Sequence, residues 1–211
     1  MDISNRALAL LLLMAIIISV AGTLVSLNKL SQKSGTTGYA VSTDASTASV
    51  TIQSNTVLRF VVNSIDFGTG YVNTSGGYIK CIMNLSTNTT TITKTGCANF
   101  NTTGNPLVLE NAGTTFLNVT INSTKDASTF IGGTSPAFQY MIAENETGSC
   151  KGTLSSVAWT TVVAGTAQNI CSNLTYIDSN DSLKMGIQVT IPYDSGVGGS
   201  DTFTATGTSM P

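Results

Sequence analysis

The chain has 211 residues, a formal net charge of −2 and no histidine, and charged side chains make up 9% of it, against about 25% in ordinary soluble domains. Without histidine, serine–histidine and cysteine–histidine catalysis, histidine zinc sites and histidine acid–base chemistry are excluded. Without a basic cluster, nucleic acid is excluded as a partner, because phosphate binding draws on several grouped Lys or Arg.

The first element is the uncharged apolar run of residues 7–27, ALALLLLMAIIISVAGTLVSL. About 20 apolar residues is the length a helix needs to cross roughly 30 Å of hydrocarbon. The run is apolar on every side, which suits lipid or a bundle of helices better than the flank of a soluble core. It reads as a membrane anchor, as a secretory signal cut after Ala21 in the small-x-small triplet Ser19-Val20-Ala21, or, least well, as a buried core helix of a soluble protein. Apolar character continues through residues 23–27, without the polar break that follows a cleavage site. Arg6 precedes the run and Lys29 with Lys33 follows it, so the positive-inside rule leans slightly towards an inward C-terminal part. The cysteines and glycosylation sequons downstream point that part outward.

The dipeptide Arg6-Ala7 directly before Leu8 resembles the class III leader of archaeal type IV pilins and archaellins. That resemblance implies a leader of residues 1–7 removed by a peptidase, with Leu8 as the mature N-terminus. It also implies that the helix leaves the membrane and packs with copies of itself in a filament core, with β-sandwich heads outside. Ala9, Ala15, Ser19, Ala21 and Gly22 are small enough to let helices approach closely. The leader departs from the pattern in having one basic residue offset by Asp2, and no proline follows the start of the helix.

Residues 29–47 (KLSQKSGTTGYAVSTDAST) read as the helix end, capped near Gly35, and a linker. The organisation expected is a leader and helix over 1–34, a linker over 35–47 and an extracellular head over 48–211. In the head, short alternating runs recur between turn residues at 48–53, 57–62, 65–72, 78–83, 106–110, 115–122, 138–143, 157–164, 183–191 and 202–206. With no helical pattern between them, they predict a mainly β head, an antiparallel sandwich. The segment LVLENAG and the closing QVTIPYDSGVGGSDTFTAT resemble the terminal strands of immunoglobulin-like modules in prokaryotic surface proteins, which implies an immunoglobulin-like sandwich. Residues 107–110 and 115–121 predict a hairpin about Asn111-Ala112-Gly113. Pro192 predicts the end of the penultimate strand. The expected core is Phe60, Val62, Ile65, Phe67, Leu107, Leu109, Phe116, Val119, Phe138, Tyr140, Trp159, Ile187, Val189 and Phe203.

Cys81, Cys97, Cys150 and Cys171 form no CxxC pair, and an even count in an exported chain predicts two disulfides. Three connectivities exist; Cys81–Cys97 with Cys150–Cys171 is favoured because each staples a local excursion between strands. Sequons occur at Asn73, Asn84, Asn88, Asn101, Asn118, Asn122, Asn145, Asn173 and Asn180, all after the helix. The loop Asp178-Ser179-Asn180-Asp181-Ser182 loosely resembles a calcium loop. Leu183 and Val189 occupy the places of the Gly and Glu that an EF-hand requires, so it reads as a turn. Glu144 and Glu146 read as a solvated loop. The few carboxylates lie in turn-like surroundings, and no cofactor, metal or catalytic residue is expected.

The function expected is a non-enzymatic cell-surface subunit forming a pilus-like filament through its helix. The alternative is a monomeric, membrane-anchored adhesin or glycan-binding module. Its partners would be copies of itself, membrane lipid and surface glycans.

Overall fold

A computed structural model of the chain describes residues 13–21, 23, 54–196 and 198–210. The expectations for the leader at Arg6, Ala7 and Leu8, the cap at Gly35, the linker and the strand at 48–53 lie outside the described residues. The chain divides into two compact units, Met1–Thr51 and Ile52–Pro211.

In the first unit, residues 13–21 form a helix, α1. No helix among the described residues is long and apolar enough to cross a membrane. The rest of the 7–27 run, apart from Thr23, lies outside them.

The second unit is mainly β and antiparallel. Its strands are β1 (Leu58–Val62), β2 (Tyr71–Val72), β3 (Lys80–Leu85), β4 (Thr93–Thr95), β5 (Cys97–Ala98), β6 (Leu107–Asn111), β7 (Leu117–Ser123), β8 (Ala137–Glu144), β9 (Thr160–Thr161), β10 (Gln168–Leu174), β11 (Ser182–Pro192) and β12 (Phe203–Ser209). A single short helix turn, α2 (Ala127–Phe130), precedes β8. It starts at Asp126, whose side chain accepts from Thr129 N while the Thr129 hydroxyl accepts from Asp126 N, so two end groups are satisfied reciprocally.

The long strand β11 is the spine of a seven-stranded sheet. Along one edge it pairs with β8. Along the other its first half pairs with β6 and its second half with β3. Strict alternation builds it: Leu183, Met185, Ile187 and Val189 are buried, while Lys184, Gln188 and Thr190 face outward and are half-buried. Gly186 stands where β6 gives way to β3. A β-carbon there would lie 2.6 Å from the Leu85 carbonyl oxygen, so only glycine permits the approach.

A second sheet, in the order β10-β7-β12, presents Leu117, Val119 and Ile121 to the same apolar cluster. Phe138 of β8 meets Phe203 of β12 at 5.6 Å between ring centroids. Two antiparallel sheets therefore share one core, each buried Leu or Ile contributing about 1.5–3 kcal/mol.

The expected hairpin is corrected. Strand β6 pairs with β1 and β11, whereas β7 pairs with β10 and β12, so the 111–116 turn carries the chain from one sheet to the other. Asn111 ties this turn down. Fully buried, it donates from Nδ2 to the carbonyls of Thr115 at 2.9 Å and Thr175 at 3.0 Å, and accepts from Gly113 N at 3.1 Å. The place of a hairpin partner beside β6 is taken by β1 and β11.

Two further runs are shorter than expected. Of 65–72 only β2 is strand: Asp66 accepts from Gly68 N in a turn and Gly68 has φ +75°. Of 157–164 only β9 is strand. Strand β10 has no alternating signature; its buried positions are Ile170, Cys171 and Leu174, because the register shifts twice against β7. Strands β4 and β5 and helix α2 were likewise not foreseen. The core is corrected at Trp159, Phe116 and Val62, which are half-buried and lie outside the core cluster. Phe116 instead meets Tyr176 edge to face, at 5.1 Å.

Candidate functional site

The four cysteines pair as Cys81–Cys97 and Cys150–Cys171, and no cysteine is free. The first ties β3 to β5. The second ties the loop after β8 to β10, where Cys171 is fully buried. Two such bonds point to an oxidising, extracellular setting.

The sequon asparagines are scattered: Asn84 on β3, Asn118 and Asn122 on β7, Asn173 on β10, the rest in loops. Sugar attaches at Nδ2, so the engagement of each side chain decides its availability. Asn101 Nδ2 donates to the Asp66 carbonyl at 3.0 Å, and Asn145 Nδ2 donates to Ser182 Oγ at 2.8 Å. Asn73 Oδ1 accepts from Gly76 N, and Asn118 Oδ1 accepts from Asn169. Asn84, Asn122, Asn173 and Asn180 bury their Oδ1 atoms without a partner. Asn101 and Asn145 are exposed as well, but Asn88 alone in this set combines exposure with a place in a turn and no side-chain hydrogen bond among the described residues. It is the best-presented acceptor.

The Asp178–Ser182 loop is a turn that delivers Asp181, 6% exposed, to the head of β11. Burial first, then the charges of Glu146, Glu110 and Asp178, push the Asp181 carboxyl up to about 6. Glu144 and Glu146 are corrected from solvated to structural. Glu144 accepts from Gly148 N at 2.8 Å and Cys150 N at 3.0 Å, and Glu146 accepts from Asp181 N at 2.9 Å. Their oxygens brace the corner around Cys150 rather than facing a substrate. No group of three His, Cys, Asp or Glu among the described residues could hold a metal ion.

On α1, Leu13, Met14, Ile16, Ile17, Ile18 and Val20 are all between 52% and 68% exposed. Thr23 folds its hydroxyl back onto the carbonyls of Ser19 and Val20, both at 2.9 Å, so this polar group asks nothing of the surroundings. The helical turns thus present an apolar surface on every side. Sequence periodicity shows as much; the Thr23 back-bond is visible only in three dimensions.

Comparison with protein-family models, with curated proteins and with solved structures finds no match.

Proposed function

We propose that this chain is a non-enzymatic structural subunit of the cell surface, whose N-terminal helix packs with copies of itself in the core of a pilus-like filament. The immunoglobulin-like head stands outside, braced by two disulfides and carrying sugar first at Asn88. One observation carries the reading: six large apolar side chains around α1 lie at least half exposed. Leaving that surface in water is costly at roughly 25 cal/mol per Å², so it needs a cover, and identical helices supply one on all sides. Before assembly, lipid serves the same end.

The resemblance of Arg6-Ala7-Leu8 to a class III leader supplies the route from membrane to filament. Mass spectrometry of the chain from native cell surfaces tests it: the mature protein begins at Leu8, and negative-stain images of shed material show fibres containing it. Retention of Met1 together with single particles would make it an anchored monomer and sink the filament.

A further inference from the structure

The outward face of the seven-stranded sheet carries a cleft of about 480 Å³, walled by the 87–90 loop and Asn105 and closed at its edge by Lys184. Apart from Thr89, whose hydroxyl accepts from Thr91 N at 2.9 Å, its polar side chains make no hydrogen bond among the described residues. Thr87 is 1% exposed, and its hydroxyl has no partner. Asn88, Thr90, Asn105 and Lys184 likewise make no side-chain hydrogen bond or ion pair among the described residues. A buried hydroxyl without a partner is unfavourable by about 1–3 kcal/mol and calls for an occupant that can bond to it. Val108 and Pro106 complete the lining with apolar surface.

The cleft is held open by the fold. The Thr90 carbonyl accepts from Gly104 N at 2.8 Å and the Thr102 carbonyl accepts from Ile92 N at 2.9 Å, which ties the two walls together. At the base, the bare backbone of Gly186 lets the Leu85–Thr87 chain lie against β11. The charge is also unspent. Lys184 stands opposite Val108 on β6 and Ala143 on β8. The nearest acid along β6, Glu110, gives its carboxylate to Arg59 at 2.9 Å. No carboxylate lines the cleft.

We propose that this cleft binds a sugar bearing a carboxylate, a uronic acid residue. Lys184 takes the acid group, Thr87, Thr90 and Asn105 take ring hydroxyls, and Pro106 with Val108 meets a C–H face. A lone ammonium among neutral hydroxyls and amides suits one negative charge on a polyhydroxylated frame. A bare phosphate would call for several donors of positive charge and no apolar wall. The site is independent of filament assembly, since every residue in it belongs to the head.

Saturation-transfer NMR on the full chain in detergent micelles tests this, with sodium glucuronate and glucose as probes and inorganic phosphate as the competitor. Glucuronate binds, glucose binds about tenfold more weakly, and Lys184→Gln abolishes the difference, as the loss of one charge-assisted hydrogen bond requires. Thr87→Val keeps the thermal midpoint of the parent or raises it, yet weakens both sugars. No transfer to glucuronate in either the parent or Asn88→Gln, a glucuronate affinity unchanged by Lys184→Gln, or displacement of glucuronate by equimolar phosphate overturns the proposal. The source of the sugar is read with Asn88→Gln, which removes the glycan while leaving Lys184, Thr87, Thr90 and Asn105, the groups assigned to the sugar, in place. If only this variant, and not the glycosylated parent, accepts free glucuronate, a glycan on Asn88 of the same chain fills the cleft. If both accept it, the ligand comes from elsewhere on the surface.

Discussion

Replacing Asn111 by alanine tests the reading that a buried amide, rather than a hairpin, joins the two sheets. The substitution removes four contacts, to the carbonyls of Thr115 at 2.9 Å, Thr175 at 3.0 Å and Leu174 at 3.4 Å and from Gly113 N at 3.1 Å. Each is worth about 1 kcal/mol net, and the carbonyls of Thr115 and Thr175 and the Gly113 N–H are left near the interior without partners. Together these give a loss of roughly 4 kcal/mol. Asn111→Asp retains the acceptor for Gly113 but turns a carboxylate towards two carbonyls, so its loss is at least as large. Urea denaturation of the full chain with disulfides intact reads the effect as a lower midpoint at unchanged slope; at about 2 kcal/mol per M, the midpoint falls by about 2 M. An Asn111→Ala protein within about 1 kcal/mol of the parent would refute the role given to this amide.

Asp181 carries a pH dependence. Its folded carboxyl titrates near 6 against 3.8 when unfolded, so between those values the native state holds more protons and stability falls as pH rises. Asp181→Asn therefore raises the thermal midpoint at pH 7 and flattens the slope across that window; an unchanged pH profile counts against the burial of this charge. Asp126, held down to about 2 by bonds from the Thr129 side chain and backbone and from Ser128, contributes in the opposite sense, losing its stabilisation as pH drops below 3.8. Replacing both Cys150 and Cys171 by serine opens a loop of 21 residues and lowers stability by about 3 kcal/mol, measured by the same urea titration. Gly186→Ala places a β-carbon 2.6 Å from the Leu85 carbonyl and 3.0 Å from Thr87 N. Both are backbone atoms that cannot swing away, and the expected loss is about 2 kcal/mol or more, checked by thermal melting.

What could be read from the sequence and what could not divide along the range of the interactions. Alternation over residues 106–110, 115–122, 138–143 and 183–191 revealed strands β6, β7, β8 and β11, because a period of two is a local property of an extended chain half-buried on one side. The disulfide partners are close in sequence, so a local argument reached them too. Strand β10 escaped because its two bulges break the alternation, and bulges arise from fitting a partner strand that the sequence does not display. Of the candidate sites, the sequons were legible as triplets, but only the fold distinguished Asn88 from asparagines whose amides are engaged or buried. The cleft gave no linear signal: the 87–90 loop, Asn105 and Lys184 come together only once β11 lies between β6 and β8.

By itself, the order of amino acids determined that this is an apolar helix followed by a charge-poor β-rich head with two local disulfides, because composition, period and spacing are written along the chain. The tertiary structure alone decided which strands are neighbours, that the 111–116 turn carries β7 into the second sheet, and that Thr87 and Lys184 share a cleft. Those outcomes depend on contacts between residues tens of positions apart, where packing and hydrogen-bond satisfaction, rather than local preference, choose among arrangements.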